Sequence, residues 1–452
     1  MKPTTSPNSN FETIGKRVQK EMKRLHVPGV AIGIYHKGKE WTAGFGVTSL
    51  ENPLPVNSDT LMQVGSISKT FTATLLMMLA EQGKVNLDSP VRKYIKDFKL
   101  KDENVAKQVT IRHLLTHTGG WVGDYFNSFG DGDDALDKMV KDISHLPQIQ
   151  PLGKIWSYNN TGFNVASRVI EVVTKKSYEQ ALQEMLLDPL GLNMSFLYPS
   201  DILFTHRFVV GHYRKDKKTH VARPWAIGRA GNGVGGVVST VKDLLKYARF
   251  HMGSGNKIIA HKSLKAMRVK QVSAGGRGDM GITWFIRYAD ALTAYAHGGA
   301  TNGQQAYFFY IPEKDFALAI LTNSDEGGVI TAQTFGWALD LYFGIKLKSP
   351  KPMKNPQDGK EFVGRYKIGT ECFDIKTKGK HLVYHHIPLG GFPTPDVPPG
   401  PALAPMRFAF YDKDNLIGLD EPYNGALADI IRDEKGRVKY FRVGGRAHLK
   451  IK

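Results

Sequence analysis

The chain has 452 residues, 41% hydrophobic and 23% charged, and a formal net charge of +19 at pH 7. That length exceeds one ordinary domain, and the longest apolar run, around residues 75–80, is too short to span a bilayer. The single cysteine, Cys372, excludes an intramolecular disulfide and a Cys-based zinc site, and reads as a buried small residue.

The densest basic group is Lys16, Arg17, Lys20, Lys23 and Arg24, on an amphipathic helix that turns Ile14, Val18, Met22 and Leu25 inward. The other cations are scattered, with no aromatic-basic platform or helix-turn-helix pattern, so the group reads as a solvated face and no nucleic-acid partner is expected. Met1-Lys-Pro-Thr-Thr-Ser-Pro7 lacks the apolar core of a secretory signal. The sequence as given therefore reads as cytoplasmic; a removed export signal would make it periplasmic or secreted. Two β-rich runs, 27–35 and 40–47, flank His36-Lys-Gly-Lys39 and predict a hairpin. A helix opens at Ser66 and stops near Gly83. Residues 84 to about 205 are mainly helical pieces, including 111–116, 164–174 and 178–187. Another helix covers 241–251, with Ser239 as its expected N-cap. Strand patterns return at 281–288, 291–297, 305–311 and 316–322, before a helix over 331–343.

Strands at both ends and helices between them predict an α+β fold. One antiparallel sheet is flanked by helices, with a helical subdomain inserted at about 84–205. The catalytic domain is expected over 12–345 and a Lys- and Pro-rich linker over 346–357. A small all-β barrel or sandwich then covers 358–452, with strands at 362–368, 373–377, 381–386, 407–411, 415–419, 428–432 and 438–443.

Three stretches carry chemistry. Ser66 and Lys69 lie about one turn apart at a helix start, where an amine can take or steer a hydroxyl proton and the helix dipole favours developing negative charge. Ser239…Lys242 and Ser254…Lys257 repeat the spacing, but one sits at a helix cap and the other in a Gly-Asn turn. Ser66 follows Gly65 and, alone of the three, leads a long apolar helix. Tyr158 and Asn160, in a polar loop, offer a phenol for proton transfer and an amide for a substrate carbonyl. His297-Gly-Gly299-Ala300 ends one strand ahead of another, where glycines permit close backbone approach and an edge N–H complements that of Ser66 as an oxyanion hole.

Ser66-x-x-Lys69, Tyr158-x-Asn160 and His297-x-Gly299, in that order, resemble the serine β-lactamase-related family. That group includes class C β-lactamases, penicillin-binding carboxypeptidases, D-aminopeptidases and related esterases. Val27-Pro-Gly-Val30, the stretch from Val109 to Gly120, Asp188-Pro-Leu-Gly-Leu192 and the stretch from Gly235 to Thr240 also resemble family signatures. The likeness runs from about 12 to 345, and the tail is similar to the lipocalin-like domain of some members. The resemblance implies that Ser66 is acylated and that Lys69 and Tyr158 share proton transfer, either being the base. Asn160 would position substrate, and the Ala300 N–H, one residue past Gly299, would be the second oxyanion donor. His297 stands where true β-lactamases carry lysine, and a neutral imidazole is a weaker carboxylate anchor. No cofactor or metal is implied, and an oligomer is left open. The expected activity is cleavage of small carboxylic esters or D-amino-acid peptides and amides through an acyl-enzyme. The alternatives are a penicillin-binding DD-carboxypeptidase or weak β-lactamase, and a silent binding protein of the same fold.

Other patterns read structurally. Gly231-x-Gly-x-x-Gly236 lacks a leading strand and is expected to be a backbone turn lining the cleft. His113 and His117 are four apart but lack a metalloprotease glutamate. His381, His385 and His386 lack a further ligand. Trp121, Tyr125, Trp156 and Trp225 suit an apolar acyl pocket or the core equally.

Overall fold

The computed structural model describes residues 7–452, except 206, 226, 254–257, 370, 391–397, 400–401 and 422–423. An eight-stranded antiparallel sheet organises the larger part of the molecule. Its strands are β1 (Gly29–His36), β2 (Lys39–Gly46), β3 (Val272–Ser273), β4 (Asp279–Met280), β5 (Phe285–Ala289), β6 (Leu292–Thr301), β7 (Gln304–Ile311) and β8 (Phe316–Thr322). Their order is β2-β1-β8-β7-β6-β5-β4-β3, so the N-terminal hairpin closes onto the last strand of the domain. β1 and β8 are apolar and buried along almost their whole length, because helices cover both faces of the sheet. On one face lie α1 (Pro7–Leu25) and α5 (Gly327–Phe343), with Ile14, Val18 and Met22 of the basic helix packed inward. The other face carries α2 (Ser68–Glu81), α3 (Asn160–Thr174), α4 (Val241–Met252) and the helical segments between.

α2 is buried on nearly all sides. An all-round apolar helix needs core on every face, and the helical insertion supplies it. α4 is capped by Thr240, whose hydroxyl accepts from the Asp243 N–H at 3.2 Å, and not by Ser239. Ser239 instead pairs with Met62 in a two-strand bridge behind α2. Ser254…Lys257 lies outside the described residues.

The C-terminal domain is a closed barrel of eight strands: β9 (Gly364–Ile368), β10 (Glu371–Lys378), β11 (His381–Pro388), β12 (Met406–Asp412), β13 (Asn415–Gly418), β14 (Leu427–Arg432), β15 (Val438–Val443) and β16 (Arg446–Lys450). Aromatic side chains such as Phe373, Phe408, Phe410 and Phe441 fill its interior. Sequence pattern anticipates seven of these strands and misses β16, a five-residue segment in which Ala447 and Leu449 alternate with basic residues and which pairs with both β15 and β9 to close the barrel. Cys372 is buried and unpaired. Among the described residues no helix is long and apolar enough to cross a membrane.

Candidate active site

Ser66 occupies a short 3-10 turn immediately before α2. Gly65 adopts φ +53°, and a Cβ there would stand 2.5 Å from the Ala300 nitrogen. At Gly299 a Cβ would meet the Val64 carbonyl at 1.9 Å and the Ser66 nitrogen at 3.2 Å. Both glycines therefore let the serine turn lie against the end of β6. β6 pairs with β5 only from Leu292 to Ala296, so its last residues present a free edge there. The Ser66 and Ala300 backbones thus lie in contact across these two glycines.

Lys69 Nζ stands 3.0 Å from Ser66 Oγ and donates to the Val234 carbonyl at 2.8 Å. The lysine is fully buried. Burial, reinforced by the charge of Arg446, drives its pKa well below the ordinary lysine value. Val234 belongs to the Gly231–Gly236 stretch, which is a backbone turn lining the cleft. Asn232 of that turn donates to the buried Glu179 at 2.7 Å, and Thr72 of α2 donates to the Gly233 carbonyl at 2.6 Å.

Tyr158 precedes α3, whose N-cap is Asn159; its ring lies 5.1 Å from Lys69 Nζ. Burial raises the phenol pKa, against smaller opposing effects from the Ser66 hydroxyl and Arg446. His117 stacks beneath Tyr158 with ring centroids 4.2 Å apart. His117 Nδ1 accepts the Asn159 N–H at 3.0 Å, while His113 turns back to cap its own helix. The two imidazoles therefore serve local structure. Among the described residues no three His, Cys, Asp or Glu side chains gather as metal ligands would. His381, His385 and His386 remain separate barrel side chains.

Asn160 is the first residue of α3 and lines the same cavity, its amide donating to Asp124 at 2.6 Å. His297 is buried and its pKa is pushed down to about 3 by burial and by Lys69. Its Nδ1 sits 2.6 Å from the Gly298 carbonyl, which can only accept, so Nδ1 carries the proton. Nε2 is then an unprotonated acceptor, buried without a partner among the described residues.

The cavity over Ser66 has a volume of about 1040 Å³. Trp156 lines it, whereas Trp121 is buried with its N–H on Thr161, and Trp225 packs against Phe208. Tyr125 donates to Asp142, away from the cavity lining.

Part of the cavity wall comes from the barrel. Arg446 makes a two-pronged pair with Asp124, at 2.9 and 3.0 Å, and its guanidinium lies 4.9 Å from the Tyr158 ring centre. The Gly445 carbonyl accepts the Tyr158 N–H at 2.9 Å. Sequence reasoning misses Arg446, Asp124, Glu179 and the Val234 carbonyl. Gly444-Gly445 is the available signal for Arg446, since paired glycines mark a tight turn between strands. A backbone carbonyl leaves no side-chain signature at all.

The fold and this site define a serine hydrolase of β-lactamase architecture. A family model described as Beta-lactamase matches residues 14–340, so the chain belongs to the β-lactamase family of serine hydrolases. It is 30% identical to Penicillin-binding protein 4 of Amycolatopsis lactamdurans over 75% of this chain and 93% of the relative. A crystal structure of SurE with D-Leu superposes with a TM-score of 0.76 at 21% identity, covering 98% of this chain and 100% of that one. D-amino acid amidase from Ochrobactrum anthropi SV3, complexed with L-phenylalanine amide, superposes with a TM-score of 0.63 at 21% identity. That likeness covers 74% of this chain and 99% of the amidase.

Proposed function

We propose that the protein cleaves peptide-like substrates, amides or esters containing D-amino acids, through an acyl-enzyme on Ser66. The observation that carries this reading is the fully buried Lys69, 3.0 Å from Ser66 Oγ, with its pKa lowered by burial. A neutral amine has one lone pair and two protons. One N–H goes to the Val234 carbonyl, and the lone pair is free to take the Ser66 proton. Tyr158, its pKa raised, stays a phenol; it hands its proton to the leaving group and recovers one from the Lys69 ammonium, which restores the amine for the attack of water. Lys69 is thus the base and Tyr158 the acid. The Ser66 and Ala300 N–H groups hold the oxyanion, and water then attacks the acyl-enzyme.

Cavity size favours a peptide over a small ester, since about 1040 Å³ lies at the upper end of ordinary ligand sites. The D-configuration is supported by the full-length likeness to SurE, solved with D-Leu, and by the likeness to D-amino acid amidase. A DD-carboxypeptidase is the second reading, favoured by the 30% identity to a penicillin-binding protein. Efficient β-lactam hydrolysis is disfavoured because His297 is neutral where that chemistry uses a lysine. The test is a panel of D-aminoacyl amides, peptide esters, short p-nitrophenyl esters and a chromogenic cephalosporin, run on wild type and Ser66→Ala. A Ser66-bound acyl group in the mass spectrum of quenched wild type supports the reading; undiminished turnover in Ser66→Ala overturns it.

A further inference from the structure

The loop that carries Tyr158 is gripped by one residue that takes no part in the proton transfers above. His117 follows the helical segment Ile111–Leu115 and is buried. Its carbonyl accepts the Ser157 N–H at 3.1 Å, and its Nδ1 accepts the Asn159 N–H at 3.0 Å. Between those two anchors its ring stacks on the Tyr158 ring, with centroids 4.2 Å apart and planes 27° from parallel. Three consecutive residues are therefore held by the main chain, the ring face and the ring nitrogen of a single histidine. The N–H of the middle one, Tyr158, goes to the Gly445 carbonyl of the barrel at 2.9 Å.

His117 reaches this arrangement in a disfavoured backbone conformation. Its φ is +55°, in the left-handed region where the Cβ of an L-residue is crowded. Glycine takes that conformation freely, but it has neither a ring to stack nor a nitrogen to accept. Strain of this kind persists only where the surroundings enforce it, and here they are the loop that presents Tyr158. The ring is also neutral. An amide N–H can only donate, so Nδ1 is the acceptor and the ring proton sits on Nε2. Burial keeps the pKa well below the ordinary histidine value, so no charge lies against the phenol and the contribution of His117 is geometric.

We propose that His117 is a positioning residue for Tyr158: the stacked ring and the two backbone bonds aim the phenol so that its hydroxyl can deliver a proton to the leaving group. The proposal rests on the acyl-enzyme reading above, with Tyr158 as the acid. A general acid works only when its proton lies within hydrogen-bond reach of the departing atom, and a displacement of about 1 Å can lose about 10²-fold. Loss of His117 is therefore felt where the leaving group needs a proton, and far less where it departs as a stable anion.

The methyl ester and the p-nitrophenyl ester of one N-acylated D-residue test this, since methoxide must be protonated and p-nitrophenolate need not be. In His117→Ala, kcat/KM for the methyl ester should fall roughly 10- to 100-fold, and that for the p-nitrophenyl ester by no more than about threefold. The ratio of the two does not depend on how much of the variant folds. His117→Asn, whose amide oxygen can stand in for Nδ1, should recover part of the methyl-ester loss. In a Tyr158→Phe background, His117→Ala should cost the methyl ester no more than about threefold further, because residues that act as one unit are not additive. Equal losses on both esters, no loss on either, or a full His117→Ala cost in Tyr158→Phe overturns the positioning role. Tyr158→Phe should itself show the loss confined to the methyl ester. If it does and His117→Ala does not, this proposal fails alone; if Tyr158→Phe shows no such preference, the assignment of Tyr158 as the acid falls and this proposal with it.

Discussion

Two parts of the molecule build one cavity by opposite means. On the α2 side, Ser66 and Lys69 are three residues apart, and a single helical turn sets their distance. On the barrel side, Arg446 meets Asp124 across 322 residues of chain, and only the docking of two domains brings them together. Local geometry makes the first pair robust and recognisable. The second pair depends on the interface, where the Tyr158 N–H binds Gly445, Ala447 N–H binds Ser157 Oγ at 3.1 Å, and Arg442 donates to the Trp156 carbonyl at 3.1 Å. The loop that carries Tyr158 is thus clamped to the barrel, while the serine turn is clamped to β6.

The largest expected effect breaks the local side. Ser66→Ala or Lys69→Ala should lower kcat/KM by about 10³-fold or more, because nucleophile and base act as one unit. Lys69→Met separates chemistry from stability. Lysine has a lower pKa folded than unfolded, so between the two values the unfolded chain binds more protons, and its stability contribution rises with pH. Wild type should therefore lose stability as pH falls through that window, and acylation should fall with it as the base becomes protonated. Lys69→Met should be inactive yet flatter in its pH–stability curve, measured by urea denaturation across pH. A curve of unchanged slope would show that Lys69 is charged in the folded state.

Gly65→Ala comes next. Its Cβ would strike Ala300 nitrogen at 2.5 Å with a backbone at φ +53°, forcing the serine turn away from β6. Loss of one oxyanion donor costs about 10²–10³ in kcat, so a decrease near 10²-fold is expected, with kcat falling more than KM changes. An active Gly65→Ala enzyme would rule out Ala300 as a donor.

Arg446→Ala breaks the distant side. Asp124 would keep only Asn160, and the clamp on Tyr158 would loosen. Activity should drop about 10- to 100-fold and stability by about 1–3 kcal/mol, since the pair is about three-quarters shielded and losing one partner strands the other. Arg446→Lys should rescue little, because an ammonium cannot reproduce the two-pronged geometry.

The same contrast explains what the sequence discloses. The hairpin of β1 and β2, the β5–β8 meander and α2 follow from hydrophobic period and turn residues. Ser66, Lys69, Tyr158, Asn160 and His297 stand out instead as short local strings that resemble family motifs, and the structure brings them to one cavity. Asn160 differs in one respect: it begins α3 instead of ending an extended loop, because Asn159 caps the helix at that point. Ser239 misleads for a similar reason. Two adjacent hydroxyl residues compete for one cap, and β pairing to Met62 takes the first. β16 escapes notice because only Ala447 and Leu449 alternate with its basic residues over five positions, and its value lies in closing the barrel. Arg446 escapes because an arginine at the start of a strand reads the same whether it faces solvent or a cavity.

The smallest effect sharpens the comparison by testing an interface contact outside the cavity. Tyr440 in β15 donates its hydroxyl to the Ile149 carbonyl at 3.1 Å, and the side chain is buried. Tyr440→Phe keeps the ring packing and removes one hydrogen bond, leaving the Ile149 carbonyl without that donor. The expected cost is about 0.5–1.5 kcal/mol, read as a shift in the thermal midpoint. Activity should stay within about twofold of wild type, because Tyr440 does not line the cavity over Ser66. If Tyr440→Phe instead lowers kcat/KM as far as Arg446→Ala does, the barrel acts through the rigidity of its docking as a whole. If only Arg446→Ala is costly, the barrel serves catalysis through Arg446 itself.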